Sequence, residues 1–312
     1  MRFNITPGGV DWFDDEAWSE LVTENWRLVG RLVRDGKLRG ILFDPEQYAQ
    51  GGPVFDYQFA SHNGKYSWPE CVDQAFQRGR EAARALNSEI AELDILTAFA
   101  HGWLLRGNRG IDLRMVRYKG YALLPAFLDG FIDAKADETR IFDGWEGSYR
   151  YKTREEFRDA AEIIRSDAAQ LSVIPEAYMD TMQTSFGIWI CDAKGRWNPQ
   201  HPYYTPRELE AAVRYAFDYS DRYVWIYQER IHPWKEPFFS TAYWDALRKA
   251  NAPYAGMASS QPLDGRGPAP ATTTHPAQDG NVISAAAYWP LRKNVETGGA
   301  VSRPLHMPGG GA

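Results

Sequence analysis

Cysteine is nearly missing from the chain: Cys71 and Cys191 are the only two in 312 residues. That count leaves no disulfide framework and no cysteine-rich zinc cluster. Histidine is sparse too, with six, and no H-x-H or H-E-x-x-H pair occurs, so the usual hydrolytic metal sites lack their ligands. No apolar run approaches the roughly eighteen residues a membrane span needs. No GxGxxG or GxxxxGK[ST] turn follows an apolar run, which removes the phosphate cradles of nucleotide-binding sheets. An excess of positive charge is also absent. Lys and Arg total 35 against 41 Asp and Glu, for a net charge of -6 and a pI near 5.6, so neither nucleic acid nor an anionic membrane is expected as a partner.

Aromatic residues, by contrast, are abundant: 12 Trp, 17 Tyr and 15 Phe. With 44% hydrophobic residues the chain can bury a sizeable core. Short apolar runs alternate with longer amphipathic ones. The strand candidates are 2–6, 38–43, 93–99, 139–143, 186–190 and 223–228. Helical patterns cover 15–34, 68–87, 120–134, 153–170 and 206–218. Three of these open on a capping box, Ser67 with Glu70, Thr153 with Glu156 and Thr205 with Glu208, the last with Pro206 at the first helical position.

Strand alternating with helix implies parallel strands joined by right-handed crossovers, with apolar strands covered on both faces. The fold class is therefore α/β, and without phosphate turns a parallel (β/α)8-type barrel is preferred to a doubly wound sheet. Only six strands are legible where such a barrel needs eight, and the start on a strand places any loss at the N-terminus. Residues 1–255 are read as the barrel domain and 256–312 as an irregular C-terminal extension rich in Pro, Gly and Ala, with NVISAAAYWPL as a short docked strand.

In parallel barrels the catalytic groups sit where strands end. Asp44, Glu46 and Tyr48 follow the second strand, and His101 and Trp103 the third. Asp143, Trp145 and Glu146 follow the fourth, while Tyr227, Glu229 and Trp234 close the last. Carboxylates next to aromatics suit glycoside hydrolysis. One acid protonates the leaving oxygen, a second carboxylate attacks or activates water, and aromatic rings pack on the apolar faces of sugars. Asp44 before Pro45 and Asp143 before Gly144 also have the form of turn-capping residues.

At these residues the sequence resembles glycoside hydrolases of the TIM-barrel type. Asp44-Pro45-Glu46-Gln47-Tyr48 is similar to the end of the chitinase-type D-x-x-D-x-D-x-E signature, whose Glu is the acid. Leu42 and Ile41 stand where upstream aspartates of that motif would align, so the substrate-assisted pair is incomplete. The strand-end acids give the expected roles: Glu46 as general acid beside Asp44, Glu229 as nucleophile or base, and Asp143 and Glu146 as sugar-binding or stabilising carboxylates. Their neighbours at the strand ends, Tyr48, His101, Trp103, Trp145, Tyr227 and Trp234, are the expected substrate contacts.

No cofactor or metal is expected, and the expected partner is a carbohydrate. A metal-dependent barrel enzyme acting on sugars, or a barrel that binds glycan without cleaving it, are the other readings. No export signal is read at Met1, so the chain as it stands reads as cytoplasmic, or as secreted or periplasmic if its N-terminus has been trimmed. Oligomeric state is left open.

Overall fold

The computed structural model describes residues 2–4, 10–47, 52–190, 203–228, 240–254 and 281–284. The capping boxes set the helix starts as the sequence requires. The Ser67 amide donates to the Glu70 carboxylate at 2.7 Å and opens the helix Trp68–Asn87 (α4). Thr153 and Glu156 open Arg154–Arg165 (α6), and Thr205 and Glu208 open Pro206–Tyr219 (α8). Each box satisfies backbone amides that the first helical turn leaves bare.

Other expected helices are modified. The pattern over 15–34 becomes Asp15–Ala17 (α1), a π-helical stretch Trp18–Thr23 and Glu24–Asp35 (α2). The pattern over 120–134 starts late, as Leu124–Ala134 (α5), with Pro125 in its first turn. The pattern over 153–170 stops at Arg165 and resumes as a 3-10 turn, Asp167–Leu171. Tyr57–Ala60 (α3), Pro175–Thr181 (α7) and Thr241–Asn251 (α9) were not read from the sequence.

All six expected strands are present: Arg2–Asn4 (β1), Gly40–Asp44 (β2), Asp94–Thr97 (β3), Arg140–Asp143 (β4), Phe186–Trp189 (β6) and Tyr223–Tyr227 (β7). Two more join them, Met182–Thr184 (β5) and Asn281–Ser284 (β8). Every pairing is parallel, in the orders β1-β2-β3-β4-β5 and β6-β7-β8. Only Ser185 separates β5 from β6, and its amide donates to Asp143 O at 2.8 Å. Residues 182–189 thus form the seam between the ladders, paired with β4 through the first half and with β7 through the second.

β8 falls at the start of NVISAAAYWPL, the stretch of the C-terminal extension expected as a short docked strand, and it pairs with β7 in register, Tyr223 opposite Asn281. The protein is a mixed α/β fold with parallel strands. A closed (β/α)8 ring is not shown among the described residues, where β1 and β8 end the two ladders.

Strand alternation gives the sheet two apolar faces. Ile41, Phe43, Ile95, Ile141, Ile188, Val224 and Ile226 pack into the large core shared with the helices. On the other face Leu96, Phe142, Tyr223 and Trp225 form a separate cluster, joined by Leu42, Tyr149 and Tyr227. β4 and β7 are not neighbours, yet Phe142 and Tyr223 meet edge-on at 4.9 Å and Trp225 Nε1 donates to Gly144 O at 2.9 Å. The sheet therefore curls so that β7 faces β3 and β4 across this inner cluster.

At the opposite edge, where strands begin, buried Asp94 accepts from Arg39, Arg140 and the Tyr223 hydroxyl. Outside the sheet α4 and α5 meet at glycines. A Cβ on Gly130 would stand 1.8 Å from Phe76 O, and one on Gly79 1.9 Å from Phe127 O, so only glycine permits that approach. No described helix is long and apolar enough to cross a membrane.

Candidate functional site

Two carboxylate-bearing turns leave the C-terminal edge of the curled sheet. The first follows β2. Asp44, its last residue, is wholly buried, and its Oδ1 accepts the Glu46 amide at 2.9 Å, a turn that Pro45 favours. Strand parity puts Asp44 on the face of Leu42, above the inner aromatic cluster. Glu46 is half-buried. Gln47 pins the turn by donating to Gly120 O at 2.9 Å and accepting the Phe55 amide at 2.8 Å. Tyr121 stands beside these groups. Burial, with smaller contributions from the Glu46 and Asp44 carboxylates, raises its phenol, against a lowering hydrogen bond from Gln47. Its ring meets Phe99 edge-on at 5.0 Å, and Phe99 stacks on half-buried Trp103 at 4.5 Å. The Arg106 guanidinium lies over Trp103, 4.4 Å from its centroid.

The second turn follows β4. Trp145 takes the left-handed conformation, φ 38° and ψ 70°, and turns the chain into the short 3-10 helix Glu146–Ser148. Tyr149, three residues after Glu146, donates its hydroxyl to the Glu146 carboxylate at 2.6 Å. The same ring stacks on Tyr227 with centroids 5.2 Å apart and planes 10° apart, and meets Trp225 edge-on at 5.5 Å. Trp189 lies 5.7 Å from both tyrosines, with the Arg150 guanidinium over its ring at 4.7 Å. A Cβ on Gly187 would fall within 2.8 Å of both the Trp225 and Tyr149 rings, so β6 needs glycine there to seat the cluster.

Asp44, Glu46, Trp103, Glu146 and Tyr227 are thus held on the turns and strand ends of this edge. Asp143 and His101 are not on the inner face. The register aligns Phe43, Thr97, Asp143 and Thr184 on the helix-facing side, opposite Leu42, Leu96 and Phe142. Asp143 is wholly buried there, and its Oδ1 accepts the Trp145 amide at 2.9 Å. Burial pushes its carboxyl up to about 6, against the lowering pull of the Trp145 amide, His101 and the Ala100 backbone. His101, also wholly buried, bonds to Asp129. Trp145, expected to offer a platform, is only 1% exposed; its ring packs on Gly102 and Gly147 and its Nε1 donates to Tyr151. Tyr48, Glu229 and Trp234 lie outside the described residues.

The sequence reading missed Tyr121, Tyr149 and Trp189. Tyr149 carried one usable signal, its place three residues after Glu146 on a helical turn. Tyr121 carried none, because it reaches Gln47 across a sequence gap of seventy-odd residues. Among the described residues no three His, Cys, Asp or Glu side chains converge on a metal-sized site. No protein-family model, curated protein or solved structure matches the chain.

Proposed function

We propose that the protein is a glycoside hydrolase whose catalytic face is the C-terminal edge of the curled parallel sheet, and that the sheet belongs to the (β/α)8-barrel class. The observation that carries the reading is the double use of Tyr149. Its hydroxyl holds the Glu146 carboxylate while its ring continues the Tyr227 and Trp189 surface. A carboxylate fixed at the rim of an aromatic surface matches a sugar, which presents hydroxyls at its edge and C–H bonds on its face.

In this reading Glu46 is the general acid and Glu146 the second carboxylate. Asp44 orients the Glu46 turn through its bond to the Glu46 amide, and its negative charge favours the oxocarbenium-like transition state. Tyr121 stands on the side of Glu46, and Tyr149, Trp189 and Tyr227 on the side of Glu146. Eight parallel strands, of which β3, β4 and β7 meet in the Leu96, Phe142 and Trp225 cluster, support the barrel class.

Reducing-sugar release from a broad panel of polysaccharides and aryl glycosides tests the proposal, with EDTA and Glu146→Gln as parallel conditions. Release that survives EDTA and is lost in the variant supports it. Release abolished by EDTA would indicate a metal-dependent sugar enzyme, and glycan binding without product a non-catalytic glycan-binding protein.

A further inference from the structure

The loop that joins β3 to α5, residues 98–123, leaves the same edge of the sheet as the two acid-bearing turns and is tied to both. At its start Ala98 O accepts the Glu146 amide at 3.1 Å. The Arg106 side chain lies against the Glu146 turn, its Cδ 3.3 Å from where a Cβ on Gly147 would stand. At the other end Gly120 O accepts the Gln47 side-chain amide at 2.9 Å, one residue from Glu46.

The charge of this loop is opposite to that of the chain. Arg106, Arg109, Arg114, Arg117 and Lys119 are set against a single acid, Asp112, whereas the whole chain has 35 Lys and Arg against 41 Asp and Glu. Arg109 pairs with Glu162 and Asp167, and Arg114 with Asp112. Arg106, Arg117 and Lys119 are exposed, and among the described residues no carboxylate pairs with any of them.

Both of these arginines lie over rings of the same loop, Arg106 4.4 Å from the Trp103 centroid and Arg117 4.9 Å from the Tyr118 centroid. Stacking holds the planar guanidinium in place while its N–H edge stays open to a bidentate anion. Cations kept only for solubility need neither the ring contacts nor the concentration in one loop. Apolar surface accompanies the charge: Met115 and Tyr118, in the 3-10 helix Leu113–Tyr118, are 51% and 50% exposed. Such groups match the C–H faces of a sugar.

An anionic chain approaching Asp44, Glu46 and Glu146 meets like charge. Cations on the loop that joins those turns offset the repulsion and steer the chain in; a neutral chain needs no such compensation. We propose that loop 98–123 binds an acidic polysaccharide. Arg106, Arg117 and Lys119 meet its anionic groups, uronic-acid carboxylates or sulfate esters, and Tyr118 packs on a sugar face. Arg106, which touches the Glu146 turn, selects the charged sugar there. That the bound chain is also the substrate rests on the glycosidase reading; the binding does not.

Retention of the full chain on immobilised polymers tests this with matched pairs, polygalacturonate beside its methyl ester and dextran sulfate beside dextran. The two pairs separate carboxylate from sulfate, and single-stranded oligo(dT) serves as an unrelated polyanion. At about 0.15 M salt, where weak surface attraction is screened, at least one charged polysaccharide should bind about tenfold tighter than its neutral partner, and tighter than oligo(dT). Combining Arg106→Gln, Arg117→Gln and Lys119→Gln should abolish that preference. Arg34→Gln, Arg84→Gln and Lys249→Gln together remove the same charge from the last turns of α2, α4 and α9, at the far end of the sheet, and should preserve it. All six side chains are exposed, so both variants should keep the wild-type circular dichroism.

Equal retention of charged and neutral chains would overturn the proposal, as would no binding to any of them. Equal losses in the two variants would also overturn it, since net charge alone would then be at work. Oligo(dT) bound as tightly through the same three residues would replace it with nucleic-acid binding. A charged-chain preference in a protein that releases no sugar would remove the glycosidase reading and leave the binding surface standing. Sugar released from neutral chains without that preference would do the reverse.

Discussion

The Tyr223 hydroxyl donates to the Asp94 carboxylate, tying β7 to the first residue of β3 across the inside of the curled sheet. Asp94 also binds Arg39 at 3.1 Å and Arg140 at 2.7 Å, with Arg222 at 3.7 Å. Asp94 is 4% exposed, and Arg140 and Arg222 are mostly covered as well. Removing the carboxylate strands covered cations, which costs far more than loss of a surface ion pair. Asp94→Ala should therefore lower unfolding free energy by about 3 kcal/mol, read from urea denaturation. An unchanged midpoint would show that the strands are held together elsewhere.

Gly130→Ala should cost about 2–3 kcal/mol, because the added Cβ meets the Phe76 carbonyl in the neighbouring helix and the backbone must move. Gly120→Ala, with no atom within 4 Å of its Cβ, is the matched control and should change stability by less than about 0.5 kcal/mol. Thermal or urea unfolding of the two variants separates close helix packing from a general effect of replacing glycine.

Asp143 gives the stability a defined pH dependence. Its folded-state pKa, about 6, lies above the ordinary 3.8, so the folded chain binds the extra proton between those values. Its contribution is greatest below about pH 4 and is lost as pH rises through 6, a difference of up to about 3 kcal/mol. Asp143→Asn lacks this proton. The stability of wild type relative to the variant should therefore fall between pH 4 and 7 in urea titrations. A rising difference would mean that the carboxylate is favoured by its surroundings.

Cys71 is buried, and burial pushes its thiol up to about 11. With little thiolate and little access it should resist iodoacetamide at pH 8 in the folded protein and react on unfolding. Peptide mapping by mass spectrometry reads this site separately from Cys191, and rapid native labelling would contradict the burial.

Legibility in the sequence followed the range of the interactions. Capping boxes join residues three apart, so the starts of α4, α6 and α8 were visible. β5 was hidden because it has three residues and follows α7 directly, with no turn signal between them. Asp44 and Asp143 looked alike, each ending a strand before a turn-forming residue. Strand parity separates them: Asp44 shares the face of Leu42, whereas Asp143 shares that of Phe43 and points toward the helices. Parity was readable only once β2 and β4 had been aligned through β3. The Tyr149–Tyr227 contact joins residues distant in sequence, and no local pattern announces it.

The most direct test of the proposed glycosidase reading is the turnover of Glu46→Gln beside wild type on any glycoside from which the wild-type protein releases sugar. Loss of the general acid should reduce the rate by about 10²–10⁴-fold while circular dichroism and unfolding midpoint stay unchanged. A variant that folds normally and turns over at the wild-type rate would contradict the assignment of Glu46 as the acid and the catalytic face built around it.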